Sequence, residues 1–208
     1  MIDTLLGPGV LGAHDPSQAL TDASALLPLR TTTWDFRFVS GPRRGEVATD
    51  VLQPGLPGGP PVWLYSADDV TIYTLQRTAD GTILSPSEQD LGQGVITRYD
   101  PPRPFLLNGA QPGVPEVRDL EVKVYDRNGG KAPAHSGTLT LTYTYVGRFQ
   151  VAVPAGRYSA ALVKLDYAGQ IGPARVRDTE FWFFADNVGP VAVLDKQKVS
   201  ALLVYSEK

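Results

Sequence analysis

Hydrophobic and polar residues alternate along the chain from about residue 31 to its end. Trp34, Phe36 and Phe38 alternate with charged residues, and residues 138–145 have Thr at every even position and Leu or Tyr at every odd one. Successive side chains of a strand point to opposite faces of its sheet, so a period of two is typical of half-buried strands. The pattern therefore predicts a chain built almost entirely of strands.

Glycine and proline residues interrupt this alternating pattern at short intervals. The turns Gly41–Gly45, Ala79–Gly81 and Val153–Gly156 each separate two alternating segments, as expected for hairpins. The predicted strands cover about 31–38, 46–52, 61–66, 69–77, 81–85, 93–99, 120–124, 138–145, 149–153, 157–167, 176–184, 190–194 and 198–206. Such a meander predicts an all-β fold, a strongly curved antiparallel sheet or open half-barrel of about ten to twelve strands.

The chain divides into two predicted parts. Residues 1–28 form an N-terminal tail with a short helix, which Asp15 caps and which runs to about Ala25. Residues 29–208 form a single antiparallel β domain with a proline-rich crossover at about 100–115. The apolar residues Phe105–Leu107 within this crossover are expected to pack against the domain, either as an ordered loop or as a lid over its concave face.

Composition narrows the functional classes. The 208 residues include no cysteine and carry a net charge of −3, with no cluster of basic residues. Disulfides and zinc–thiolate sites are therefore excluded, and nucleic-acid binding is not expected, because it requires a basic face. No apolar run reaches the roughly 18–20 residues of a membrane-spanning helix, so we expect no membrane span.

The residues that commonly carry catalysis form no convincing constellation. His135 and Ser136 are adjacent, so on a strand they point to opposite faces, and His14 falls in the predicted tail. Asp126 and Asn128 resemble part of a calcium loop but fit a plain turn better. The sequence does not place any two of its candidate carboxylates close together; these are Glu46, Asp50, Asp178 and Glu180. We therefore expect no enzyme, no metal and no cofactor, with a hydrolase as the weakest alternative.

Three segments resemble a known group of proteins. Leu27–Leu29 precedes Trp34, the segment Val153–Tyr158 reads VPAGRY, and Phe181–Val191 reads FWFFADNVGPV. In this order they resemble a group of uncharacterised bacterial exported and lipoprotein domains. Thr32 and Thr33 depart from the glycine usual near the tryptophan, and Pro190 replaces a leucine.

The resemblance implies a curved antiparallel sheet of the kind shared with the periplasmic lipoprotein carriers LolA and LolB. It also implies a periplasmic or otherwise extracytoplasmic location. That location would require that a signal sequence has been removed and that Met1 replaces it. The group has no established catalytic residues, so the resemblance assigns none here.

Aromatic residues supply the functional hypothesis. They could line the concave face of an open sheet, where an uncovered apolar surface is typical of a binding site, or simply form the core. The predicted ligand-binding residues are Trp34, Trp63, Tyr65, Tyr143, Tyr145 and Trp182. The leading prediction is a non-catalytic module that binds an apolar ligand, a lipid or a lipidated chain. The alternative is a structural protein of the cell envelope with a packed interior, which recruits a partner protein by strand addition.

Overall fold

A computed structural model describes residues 6–56, 58, 61–195 and 198–201 of the chain. The described residues form thirteen strands and one short helix, α1 (Ala23–Leu26). The strands are β1 (Leu11–Asp15), β2 (Thr32–Arg37), β3 (Val47–Pro54), β4 (Trp63–Ala67), β5 (Thr71–Arg77), β6 (Ile83–Asp90), β7 (Val95–Leu106), β8 (Pro115–Asp126), β9 (His135–Val153), β10 (Gly156–Ile171), β11 (Ala174–Ala185), β12 (Gly189–Asp195) and β13 (Lys198–Ala201). The predicted strand at 198–206 is described only as far as Ala201; its remainder lies outside the described residues.

The strands form one antiparallel sheet in which neighbours in sequence are neighbours in space. Eleven strands follow one another from β2 to β12, while β1 pairs with β9 and β13 pairs with β11. The sheet curls into a nearly closed barrel. The predicted all-β fold, with a strongly curved antiparallel sheet and a short helix, is confirmed.

Strand β9 shows how the alternating pattern builds the barrel. Its odd-numbered residues 139–145 are buried and its threonines face outward, as predicted. A bulge follows at Val146, since Val163 pairs with Tyr145 and Leu162 pairs with Gly147. The bulge adds one residue to β9, bends the strand and exchanges its two faces. The strands predicted separately at 138–145 and 149–153 are therefore one continuous bent strand.

The barrel interior is filled by one hydrophobic cluster rather than left as an open concave face. Its aromatic members contact one another edge to face or stacked, with Phe105 and Trp182 at 5.2 Å between ring centroids. The largest buried side chains of this interior cluster include Tyr65, Tyr143, Tyr145, Phe105, Phe184 and Trp182. Burial of so many rings is the main stabilising contribution of the interior.

A second cluster covers the outer face of β10 and β11. Phe181 and Phe183 point outward and pack with Leu6 and Val151, while Trp182 and Phe184 point inward. Phe181 and Phe183 therefore lie outside the barrel and not on its concave face, because alternation places them on the opposite face of β11 from Trp182. Burial on both faces also explains the continuous apolar run in this strand.

The N-terminal segment differs from its prediction. Residues 11–15 form β1, which pairs with residues 148–151 of β9, beyond the end of the β8–β9 ladder at Thr144. The helix begins later than predicted, and its cap is Asp22, whose carboxylate accepts the Ala25 N–H at 3.0 Å. Asp15 instead accepts the Ser17 N–H at 2.9 Å in a local turn. His14 therefore lies in a strand, not in a tail.

The proline-rich segment 100–115 is not a simple crossover. Strand β7 continues through its prolines to Leu106, and only residues 107–114 form a loop. Proline has no backbone N–H to donate to a neighbouring strand. Because β7 pairs with β8 only as far as Asp100, the part of β7 after Asp100 needs no N–H donors on the edge that faces β8. Phe105, Leu106 and Leu107 are buried in the interior cluster, so the predicted packing is confirmed and the lid alternative is wrong.

The two edge strands of the barrel approach each other without forming a ladder. An antiparallel sheet of eleven consecutive strands has edge strands that run in the same direction, here β2 and β12. At one end of this seam the indole N–H of Trp34 donates to the Val188 carbonyl at 2.7 Å. Arg30 donates to the Asn187 carbonyl nearby, at 3.1 Å. Side chains therefore hold this end of the seam together.

Replacing Gly189 by alanine is expected to loosen this end of the seam. Gly189 has φ +103°, and an added Cβ would lie 2.5 Å from Cζ2 of Trp34. We expect Gly189→Ala to lower the free energy of unfolding by about 2–4 kcal/mol, measured by urea denaturation.

Gly45→Ala is the matched control, because Gly45 has φ +93° and no atom within 4 Å of an added Cβ. This variant introduces backbone strain without a clash, and we expect it to lower the free energy of unfolding by about 1–2 kcal/mol. Equal losses in the two variants would contradict close packing between Trp34 and Gly189.

Candidate functional site

A cleft opens along the seam beyond Trp34. We call it the seam cleft; its cavity has a volume of about 310 Å³. Residues 36–41 at the end of β2 form one wall, and residues 193–195 of β12 form the other. Its floor reaches the barrel interior, and the side chains there belong to β3, β5 and β11: Ala48, Asp50, Tyr73, Glu180 and Trp182.

Aromatic packing positions the floor of the seam cleft. Trp182 contacts Phe105, lies at right angles to Tyr73 and stacks on Phe184 at 5.9 Å between centroids. Because Phe105 and Tyr73 belong to two other strands, β7 and β5, and Phe184 follows in the same strand, the indole has one fixed orientation. Trp182 is 3% exposed and lines the cleft.

Asp50 places a carboxyl group in this apolar floor. Alternation in β3 directs its side chain inward between Ala48 and Leu52, and it is 4% exposed. It accepts hydrogen bonds from the Tyr65 hydroxyl at 2.5 Å and from the Asp68 N–H at 2.9 Å. Burial raises the pKa of Asp50 to about 6, although both hydrogen bonds lower it.

Glu180 places a second carboxyl group in the floor. It accepts the indole N–H of Trp182 at 2.7 Å and lies 3.8 Å from the guanidinium of Arg103. Burial raises the pKa of Glu180 to about 7, against the lowering effects of Arg103 and of the Trp182 hydrogen bond. The two floor carboxyls therefore change charge near neutral pH.

Arg103 lies behind the floor, fully buried inside the barrel. Its guanidinium donates to Glu88 at 3.1 Å and to the Tyr167 hydroxyl, and its Cζ lies 5.1 Å from the centre of the Tyr73 ring. The buried Nε has no hydrogen-bond partner in the described part of the chain. Carboxylates and aromatic rings together compensate for burying this charge.

The rim of the seam cleft adds further acidic side chains. Of the described residues that line the cleft, four are acidic and one, the exposed Arg37, is basic. Burial raises the pKa of Asp68, and burial together with the adjacent Asp178 carboxyl raises the pKa of Asp195. The cleft therefore combines apolar walls with an excess of carboxyl groups.

The six predicted ligand-binding residues lie in different places. Trp182 lines the seam cleft, and Tyr65 lies directly behind it through its bond to Asp50. Trp34 holds the closed end of the seam. Tyr143 and Tyr145 are buried in the interior, where the Tyr143 hydroxyl accepts the Leu107 N–H at 3.1 Å. Trp63 is half-buried against the interior cluster.

A second surface depression lies outside the barrel, beside β1. It is of similar size, about 340 Å³, and its lining is mostly polar. His14 stacks on Phe149 there at 4.2 Å, and Arg148 is paired with Asp186 at 2.7 Å. Arg148 and Asp186 of this depression thus already pair with each other, whereas Asp50 of the seam cleft forms no ion pair among the described residues.

The other candidate chemistry is dispersed. Neither His14 nor His135 lines the seam cleft. Asp126 accepts the Asn128 N–H at 2.9 Å, as a turn residue does. Within residues 6–56, 58 and 61–195, no group of three or more His, Asp or Glu side chains is arranged to hold a metal ion.

The sequence identified Asp50 and Glu180 among four candidate carboxylates but placed no two of them together. Asp50 occupies an inward position between Ala48 and Leu52, and an acidic residue at such a position is unusual enough to mark a site. Arg103 offered no such signal, because three prolines surround it and conceal the alternation of β7. The proximity of Asp50 and Glu180 depends on barrel closure.

Comparison of the chain with known protein families, curated proteins and solved structures found no significant match. In the described residues, no helix has the length and apolar character needed to cross a membrane. The resemblance to exported domains therefore stays a prediction.

Removing the buried guanidinium is expected to destabilise the barrel. Arg103→Met leaves Glu180 and Glu88 without their cation, and we expect a loss of about 3–5 kcal/mol in urea denaturation. Adding Glu180→Gln should recover part of this loss, because the remaining carboxyl is removed. The control Arg98→Met alters an exposed arginine over Tyr125 and should cost less than about 1 kcal/mol. Similar losses at 103 and 98 would contradict the role of Arg103.

The raised pKa of Asp50 predicts a pH-dependent stability. Folding takes up a proton at Asp50 between about pH 4 and pH 6, so this contribution is present in acid and is lost as the pH rises through 6. Relative to wild type, Asp50→Asn should therefore become more stable by roughly 2–3 kcal/mol between pH 4 and pH 7.5. Urea denaturation at several pH values measures this, and a constant difference across the range would contradict it.

Proposed function

We propose that this chain is a non-catalytic binding module that holds a small, largely apolar molecule in the seam cleft. The supporting observation is the seam cleft itself, a cavity of about 310 Å³ whose walls come from both edge strands and whose floor is Trp182. Ligand pockets commonly measure roughly 300–1,000 Å³ and combine apolar walls with a few polar groups. The seam cleft lies at the small end of this range.

The proposed binding site is the seam cleft and not the concave face that the sequence predicted. Packed side chains occupy the barrel interior, so a lipid has no open concave face to lie on. The seam cleft offers room for a compact molecule or for the end of one acyl chain. Burial of apolar surface against Phe36, Phe38 and Trp182 would drive binding, and the floor carboxyls would orient the polar end.

An extracytoplasmic location belongs to the same proposal. It rests on the resemblance of Val153–Tyr158 and Phe181–Val191 to exported domains. Fractionation of the cells that make the protein tests it, with recovery in the cytoplasmic fraction as the contradicting result.

The filled interior favours one second function, that of an envelope scaffold. A partner protein would then add a strand to an edge of the sheet, and the seam would be an assembly surface instead of a small-molecule site. The two proposals differ in whether a small apolar probe enters the seam cleft.

Binding of 2-phenylethanol tests the first proposal. We expect a dissociation constant on the order of 1 mM, about 4 kcal/mol, given the few atoms of the probe. Methyl NMR spectra should shift at Ala48, Ala67, Val193 and Leu194, which line the cleft. The exposed methyl groups of Leu91 and Val117 lie elsewhere and should not shift.

Thr71→Trp should abolish these shifts, because Thr71 lines the cleft and a larger side chain fills it. Thr33→Trp places the same ring on the outer side of β2 and serves as the control. Shifts that are absent, or that persist in Thr71→Trp, would count against binding in the cleft and favour the scaffold.

A further inference from the structure

We infer that the seam cleft selects an organic cation, a primary ammonium group attached to a compact apolar or aromatic body. This inference rests on the proposed function and names its ligand class. Three features of the cleft support this inference: the buried Asp50 carboxyl that has no cation beside it, the aromatic rings around the floor, and the excess of acidic side chains around the opening.

The first feature is a buried carboxyl group without a cation. Asp50 is 4% exposed, and its two hydrogen bonds come from neutral donors, the Tyr65 hydroxyl and the Asp68 N–H. Among the ion pairs of the described residues, none involves Asp50. Buried carboxylates are ordinarily paired, so an ammonium group in the cleft would supply the missing partner.

The second feature is the aromatic surround. Trp182 and Tyr73 lie in the floor, and Phe36 lies in the wall. Phe38 also lies in the wall, where the Arg43 guanidinium already covers its ring at 4.2 Å from the ring centre. Ring faces attract cations, most strongly where water is excluded. The same barrel already uses this arrangement for its own cation, since the Cζ of Arg103 lies 5.1 Å from the Tyr73 ring centre and 5.6 Å from that of Tyr167.

The third feature is the charge around the opening. Asp68 and Asp195 line the cleft together with the two floor carboxyls, against the single exposed Arg37 among the described lining residues. Arg43 lies close by, but it is engaged with Glu46 at 2.8 Å and with Asp69 at 3.6 Å. A carboxylate or phosphate ligand would meet repulsion here, whereas a cation would be attracted.

The polar contacts follow from the geometry of the floor. A primary ammonium has three N–H donors, and Asp50 and Glu180 each keep acceptor capacity beyond the bonds they already accept. An alcohol of the same skeleton offers one O–H donor and no charge. The cleft should therefore distinguish an amine from its matched alcohol.

Three molecules with closely similar skeletons test the inference: 2-phenylethylammonium, 2-phenylethanol and phenylacetate. Isothermal titration at pH 8 and low salt should show the ammonium binding at least tenfold more tightly than the alcohol. Phenylacetate should bind more weakly than the alcohol. The methyl shifts of Val193 and Leu194 locate each ligand in the seam cleft.

Single-charge variants show which carboxyls act. Asp50→Asn and Glu180→Gln should each weaken ammonium binding at least fivefold and weaken alcohol binding by a smaller factor, because the alcohol carries no charge. Asp35→Asn is the matched control, because Asp35 is exposed on the outer side of β2 and its removal changes the net charge equally. Its effect on ammonium binding should stay below twofold.

The outcomes separate the two proposals. Binding of the alcohol in the cleft without any preference for the ammonium would overturn this inference and leave the proposed function standing. If Asp35→Asn and Asp50→Asn weakened ammonium binding equally, the preference for the ammonium would come from the overall charge of the protein. That result would also overturn the inference. Failure of both the ammonium and the alcohol to enter the cleft would overturn the inference and the proposed function together.

Discussion

The incomplete pairing of the two edge strands is the constraint on which the rest of this structure depends. An antiparallel path of eleven strands brings β2 and β12 together running in the same direction, and side-chain contacts to the turn before β12 join them at one end. Trp34 and Gly189 bring the chain close at that end, while the strands leave a cleft at the other. The candidate site thus arises from how the sheet meets itself.

The interior explains why the cleft is acidic. Arg103 is enclosed by Tyr73, Tyr99 and Tyr167, and the carboxylates nearest its guanidinium are those of Glu88 and Glu180. Glu180 therefore serves both the buried cation and the floor of the cleft. Asp50 has no such cation, and its burial against neutral donors is the feature of the floor that the packing of the core alone does not explain. The Asp50 carboxyl therefore connects the predicted pH dependence of stability with the proposed preference for a cationic ligand.

Prediction from sequence succeeded where structure is local. Residues 139–145 of β9 and the hairpin after Val153 follow directly from side-chain alternation and turn chemistry. It failed where a long-range partner decides the conformation. Residues 11–15 become a strand because β9 extends past β8, and the prolines of β7 are accommodated because β8 diverges after Asp100. Neither partner can be identified from the segment itself.

The sequence alone determined the fold class, most of the extended segments and the apolar face of regular strands such as residues 138–145, because these properties depend on the period of neighbouring residues. Only the tertiary structure decided that the interior is filled, that Phe181 and Phe183 lie outside, and that Asp50 and Glu180 share a cleft. Asp50 and Glu180 are 130 positions apart, and their spacing is set by the curvature and closure of the sheet.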